Sequence, residues 1–237
     1  MAYQGIFFDL GWTLMKPRRS WFLTDLFYEL FPNIAKAPAL DAAFVSCLPI
    51  LHDNHKIDTL DQEEAQFLRF YQAVFEKLSF SAPDDTAIRY LAHDKVYNFK
   101  NYIFFEDALP VLTRLKQHYK LGVISDTWPS AVCFLKDAGL YELFDSFTFS
   151  YQFGVFKPEP ILYQHALLEI NLPPAQTIFV DDNPKCLEGA RQQGILPIQI
   201  LNNPNAQPAP QMWQVKNLTA LESILVSYNV SNAKRLT

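Results

Sequence analysis

Gly5-Ile6-Phe7-Phe8-Asp9-Leu10-Gly11-Trp12-Thr13-Leu14 is a short apolar run that stops at a carboxylate. A run of this length, bounded by a turn, fits a buried strand of a parallel sheet. The figure returns twice. Leu121-Gly122-Val123-Ile124 stops at Ser125, and Thr177-Ile178-Phe179-Val180 stops at Asp181 and Asp182. In open α/β sheets ligands bind beyond the carboxyl ends of the strands. If these strands are neighbours, their polar ends converge there, and Lys157, in a loop before a helix, can join them.

Helical patterns lie between the strands. Ala108–Tyr119, Ser130–Ala138, Glu159–Glu169, Pro184–Gln193 and Leu218–Tyr228 are expected helices, with further strands at Phe147–Phe149 and Ile195–Leu201. Alternation of this kind predicts a doubly wound parallel sheet of the α/β class. The stretch from about Ser20 to Asn98 differs. Trp21–Leu30, Ala39–Leu51, Leu60–Leu78 and Asp84–Tyr97 carry apolar residues at helical spacing, punctuated by Pro17, Pro32, Pro38 and Pro83. The expected organisation is a core of residues 1–15 and 100–237, with a helical domain of residues 16–99 inserted after the first strand. The insert's aromatics (Trp21, Phe22, Phe27, Phe31, Phe67, Phe70, Tyr71, Phe75) are read as a helix-bundle core.

Bulk properties narrow the function. A chain of 237 residues, 49% of them apolar, can bury one sizeable core and a smaller one. Its net charge of −5 gives no footprint for nucleic acid or an anionic membrane. Three scattered cysteines, Cys47, Cys133 and Cys186, suit reduced thiols better than a disulfide framework or a zinc site. There is no signal-peptide pattern and no run of roughly 20 apolar residues, so a cytoplasmic protein is expected, monomeric or homodimeric.

Singly, a strand-end aspartate or serine is a cap or turn former, and a Lys-Pro pair a solvated charge. Jointly they offer a nucleophile, a hydroxyl, a cation and a metal-binding acidic pair. A carboxylate can attack phosphorus. That attack brings anion to anion, and an oxygen-liganded cation offsets the charge.

The first motif resembles that of the haloacid dehalogenase (HAD) superfamily, an apolar strand followed by DxDxT. Gly122-Val123-Ile124-Ser125-Asp126-Thr127 resembles the second motif. Gly154-Val155-Phe156-Lys157-Pro158-Glu159-Pro160 resembles the third. Phe179-Val180-Asp181-Asp182-Asn183-Pro184, followed by Leu187-Glu188-Gly189-Ala190, resembles the fourth. The likeness runs in order from Gly5 to about Leu201. It implies a HAD-like, Rossmannoid core with a C1-type cap. It implies Asp9 as nucleophile and Mg2+ held by Asp9, the Gly11 carbonyl and Asp182, with Asp181 in support. Ser125 would bind phosphate, Lys157 would organise charge, and Thr13 would steady the first loop. Asp126 and Trp12 join the candidate substrate-binding residues, and the implied partner is a small phosphorylated molecule.

Two residues depart from the pattern. Gly11 stands where family phosphatases carry a second aspartate for acid–base work, whose loss costs roughly 10²–10⁴-fold. Arg18, Arg19, His52 or His55 of the insert are candidates to replace it. Trp12 stands where a small residue is usual, and either borders the substrate or packs beneath the cap. Asp126 is expected to point away from a phosphate. The leading expectation is a magnesium-dependent phosphatase. A 2-haloacid dehalogenase and a non-catalytic binding protein are the alternatives.

Overall fold

The computed structural model describes residues 3–78 and 84–233. Pro83 and the last four residues of the tail lie outside that range. Strand β1 (Gly5–Phe8) is buried at every position, as a run of Ile and Phe flanked by neighbours on both sides must be. A hairpin-like passage, β2 (Met15–Pro17), leads into helices α1 (Asp25–Leu30), α2 (Leu40–His52), α3 (Leu60–Lys77) and α4 (Asp85–Tyr97). Strand β3 (Tyr102–Phe104) returns antiparallel to β2. This two-stranded ribbon brackets the helices and is not legible in the sequence, because strands of three residues, one of them ending in proline, show no alternation to read.

The helices begin where local chemistry dictates. Thr24 caps α1, accepting the Phe27 N–H. Thr59 and Gln62 form a reciprocal capping box on α3. Helix α1 therefore starts at Asp25 rather than at the expected Trp21, which leaves Trp21 and Phe22 on the preceding loop. Leu23, Phe27, Phe44, Phe67, Phe70, Tyr71, Phe75 and Leu91 form a core belonging to these helices. The aromatic series is thus mostly bundle core, with Trp21 outside it.

Beyond β3 the chain alternates. Helix α5 (Ala108–Leu115), β4 (Lys120–Ser125), α6 (Ser130–Asp137), β5 (Ser146–Phe149), α7 (Ser150–Phe153), α8 (Pro160–Ile170), β6 (Thr177–Asp181), α9 (Pro184–Gln192), β7 (Leu196–Ile200), β8 (Trp213–Val215) and α10 (Leu218–Ala233) follow. The edge strand β8 and the single turn α7 are additions to the sequence reading. The six-stranded sheet runs β5-β4-β1-β6-β7-β8, with every pairing parallel. Two apolar layers cover its faces, one led by Ile6, Phe8, Val123 and Val180, the other by Phe7, Ile124, Phe179 and Tyr163. Among the described residues no helix is long and apolar enough to cross a membrane.

Register sets the site. Phe8 lies level with Val123 on one side and Val180 on the other. Asp9, Ser125 and Asp181 therefore leave the sheet at one edge, within a residue of each other in level.

Candidate active site

Asp9 follows the central strand, and its N–H is held by the Val180 carbonyl at 3.0 Å. Lys157 crosses to it from the far side of β4. The turn α7 ends at Gly154, whose φ of +71° is left-handed, a conformation open to glycine at no steric cost. The chain then carries Lys157 back over the sheet edge, and the Lys157 N–H donates to Asp126 Oδ1 at 2.9 Å. Lys157 Nζ donates to Asp9 Oδ1 at 2.7 Å, Asp181 Oδ2 at 2.7 Å and the Ile124 carbonyl at 3.3 Å. All three donors of the ammonium are used.

One cation thus serves two buried carboxylates, with a third adjacent. Side-chain exposure is 3% for Lys157 and 2% for Asp181 but 10% for Asp9, so of the two carboxylates Lys157 holds, Asp9 is the one that meets the cavity. Burial would lower the Lys157 ammonium, yet Asp181 and Asp9 raise it well above its usual value. Burial pushes the Asp181 carboxyl up; Lys157 opposes this and Asp9 adds to it. Asp182 is also raised, by burial first, while a hydrogen bond from Asn203 Nδ2 (2.7 Å) works the other way.

Asp9, Asp181 and Asp182 offer oxygens within 4.8 Å of one another. An all-oxygen, surplus-anionic set of this kind fits a hard divalent cation such as magnesium. Asp181 is further anchored through the Asn183 N–H at 2.7 Å. Asn203, from the loop after β7, orients Asp182; nothing in its Asn/Pro-rich surroundings marked it in the sequence.

A cavity of about 290 Å³ opens above Asp9, lined by Gly11, Trp12, Ser125, Asp126, Lys157 and Asp182 on the sheet side. Trp21, Phe22, Glu63, Phe67 and Lys95 line it from the helical side, with Tyr102 and Trp128 between. Most expected site residues are thus together. Two are corrected. Asp126 does not point away: it holds the Lys157 N–H and borders the cavity, and burial pushes its carboxyl up to about 6. Thr13 is absent from the cavity wall, and its Oγ1 is buried with no hydrogen-bond partner among the described residues. Trp12 both borders the cavity and stands at φ +57°, a strained setting for a bulky residue. That backbone explains why a small residue suits the position.

Gly11 has a physical counterpart in the insert. A Cβ at Gly11 would meet Trp21 Cη2 at 3.1 Å and Cζ2 at 3.2 Å. The indole covers the space where a second aspartate would begin. None of the suggested substitutes lines the cavity. Arg18 and Arg19 lie beside Asp25 on the surface, His52 packs on Phe156, and His55 pairs with Ser150 Oγ at 2.7 Å.

Glu63 and Lys95 were missed, yet a signal was present. Glu63 precedes Phe67 and Phe70 at i+4 and i+7, and Lys95 follows Leu91 and Ile88 at the same spacings, so both fall on buried stripes. A charge on such a stripe is unusual. Glu63 accepts Ser130 N–H at 2.8 Å and Ser130 O–H at 2.6 Å. Burial pushes its carboxyl up to about 7. A folded value above the unfolded one gives stability that is full below about pH 4.3 and drains as pH rises through 7. Glu63→Gln should therefore melt near the wild-type temperature at pH 5 and above it at pH 8. A constant difference across that range in thermal scans would show that the carboxyl titrates normally.

Comparison with known proteins bears on this arrangement. A family model described as haloacid dehalogenase-like hydrolase matches residues 3–194. The (S)-2-haloacid dehalogenase 4A of Burkholderia cepacia is 27% identical over 179 residues, 71% of this chain and 75% of that protein. The L-2-haloacid dehalogenase of Xanthobacter autotrophicus superposes with a TM-score of 0.69 at 17% identity, covering 95% of this chain and 99% of the other. A HAD phosphatase from Thermococcus onnurineus superposes with a TM-score of 0.62 at 19% identity, covering 94% and 97%. At such identities the superpositions speak for the fold, which both chemistries share.

Proposed function

The chain belongs to the haloacid dehalogenase-like hydrolases, and from that premise we propose that it is a magnesium-dependent phosphatase acting on a small phosphorylated metabolite, such as a sugar phosphate. The observation that carries this reading is the carboxylate trio Asp9, Asp181 and Asp182 around one lysine. An oxygen site this acidic opposes a dianionic phosphate unless a further cation joins it. Magnesium held by Asp9, Asp182 and the Gly11 carbonyl, with Asp181 behind them, would supply the charge that lets a phosphate approach.

Asp9 Oδ2, which accepts no hydrogen bond from the described residues, attacks phosphorus. The bond from phosphorus to the leaving oxygen breaks and its electrons stay on that oxygen. Ser125 holds a phosphoryl oxygen, and Lys157 keeps Asp9 aimed through its hydrogen bond to Oδ1. Water then attacks the acyl phosphate, releasing phosphate and restoring Asp9. With Trp21 covering Gly11, the leaving oxygen has no acid at that position, so substrates with good leaving groups should be favoured. The four helices over the cavity act as the lid.

The same covering supports a second reading. A halide departs without a proton, and relatives named above are 2-haloacid dehalogenases. In that chemistry Asp9 attacks carbon, the carbon–halogen bond breaks, and water cleaves the resulting ester. The names favour this reading; the charge of the fourth motif favours phosphate. Assays of p-nitrophenyl phosphate with and without magnesium, beside chloride release from 2-chloropropionate, separate them. Magnesium-dependent nitrophenol release upholds the phosphatase; chloride release indifferent to chelator replaces it.

The missing acid makes its own prediction. Gly11→Asp alone should gain less than with Trp21 removed, because its Cβ would press the Trp21 ring aside by a few tenths of an ångström. Gly11→Asp combined with Trp21→Ala should raise kcat on alkyl phosphates by about 10- to 100-fold over Trp21→Ala alone, the lower part of the range for a positioned acid. Equal rates in the two backgrounds would mean that another group already supplies the proton.

A further inference from the structure

We propose that Lys95 and Tyr102 form a second anion-binding subsite at the helical end of the cavity, which receives a carboxylate on the same substrate whose phosphate meets Asp9. The inference deepens the phosphatase reading and rests on it for the reacting group, though not for the binding itself.

Lys95 lies on the buried face of α4, at 6% exposure, and lines the cavity. Its ammonium stands 5.1 Å from the Phe67 ring centroid and 4.8 Å from that of Tyr102. Its hydrogen-bond partner is Tyr102 Oη. Among the described residues Lys95 makes no ion pair. The acid on the same wall, Glu63, is occupied by both donors of Ser130, and burial raises it toward neutrality. A buried ammonium with no carboxylate in contact, and Glu63 reaching it only at a distance, is costly, and a flexible lysine could reach water instead. It is held inside by aromatic walls, with donors left over.

Tyr102 adds to this. Its hydroxyl accepts from Lys95, and its own proton has no acceptor among the described residues. Both groups therefore offer a donor to the cavity. Tyr102 also packs against Trp21 at 6.1 Å between ring centroids, and Trp21 covers Gly11. The subsite is thus one indole removed from the reacting end. One cation flanked by aromatic faces matches a monoanion. A second phosphate would bring two charges to one ammonium.

The test compares two esters that differ only at the far carbon, 3-phosphoglycerate and glycerol 3-phosphate, with magnesium present. In the wild type, kcat/KM should favour the carboxylated ester by about 10- to 100-fold, the worth of charge-assisted hydrogen bonds. Lys95→Met should bring the ratio near one through KM, and Tyr102→Phe should lower it part way. The ratio is insensitive to how much of a variant is folded. A wild-type ratio of one or less, or a ratio that survives Lys95→Met, overturns the subsite. If the wild type hydrolyses no phosphate ester, p-nitrophenyl phosphate included, the phosphatase reading fails separately. Calorimetric titration of 3-phosphoglycerate then decides the subsite alone. Binding weakened about 10- to 100-fold in Lys95→Met upholds it; equal binding, or none to either protein, overturns it.

Discussion

Asp9→Asn should lower turnover by about 10⁴-fold or more, the scale on which loss of a nucleophile is felt, while the protein stays folded. An amide oxygen is a poor nucleophile and carries no charge to share with a metal. The isosteric side chain can still accept from Lys157 through its carbonyl. Removing one of two carboxylates around a single buried lysine also relieves repulsion with Asp181, so the melting temperature should hold or rise. A rise is what a site selected for chemistry rather than stability gives. Steady-state kinetics beside a thermal melt would check both halves. Activity within tenfold of the wild type would remove Asp9 from the reaction, whichever of phosphorus or carbon is attacked.

How much of this was legible in the sequence follows the physics of each residue. Asp9, Ser125, Asp181 and Asp182 end apolar runs, and a parallel sheet has one carboxyl edge. Their convergence needs nothing beyond strand order. Lys157 was legible by its place in the motif series. What holds it there was not: Asp126 fixes its N–H across the gap between two loops, a contact 31 residues apart. Trp21 over Gly11 was hidden for a related reason. The sequence suggested that Trp21 opened a helix, whereas the Thr24 cap moved the helix start and freed the indole to reach the first motif. Glu63 and Lys95 are a different case. Their spacing places them on buried stripes, where a charge among apolar residues is itself the signal. The short strands β2, β3 and β8 carry too few residues for a period to register.

The other large effect concerns Lys157. Lys157→Met should destabilise the protein by about 3–5 kcal/mol at pH 10 in the presence of a chelator, roughly a 10 °C fall in Tm for a chain of this size. The methionine fills most of the space, so the loss is electrostatic: Asp9 and Asp181 are left near each other with no cation between them. The pH dependence identifies the cause. Asp181 is already raised in the folded protein, by burial first and then by Asp9, and Lys157 is what restrains it. Removing that restraint raises it further. A carboxyl raised on folding gives stability that is complete below its unfolded value, about 3.9, and is lost as pH climbs through the folded value. The wild-type carboxyl is pushed up to about 8, so both proteins lose this stability alike from about pH 4 to pH 8, and the variant should fall progressively further behind between pH 8 and pH 10. A steric defect would cost the same throughout. Magnesium should return part of the loss if the trio binds it, since a ligand that prefers the folded state adds stability by mass action. A variant that melts with the wild type at pH 10, or whose deficit does not change with pH, would show that the carboxylates are not held as a charged pair around Lys157, and the basis for assigning the trio to a cation would go with it.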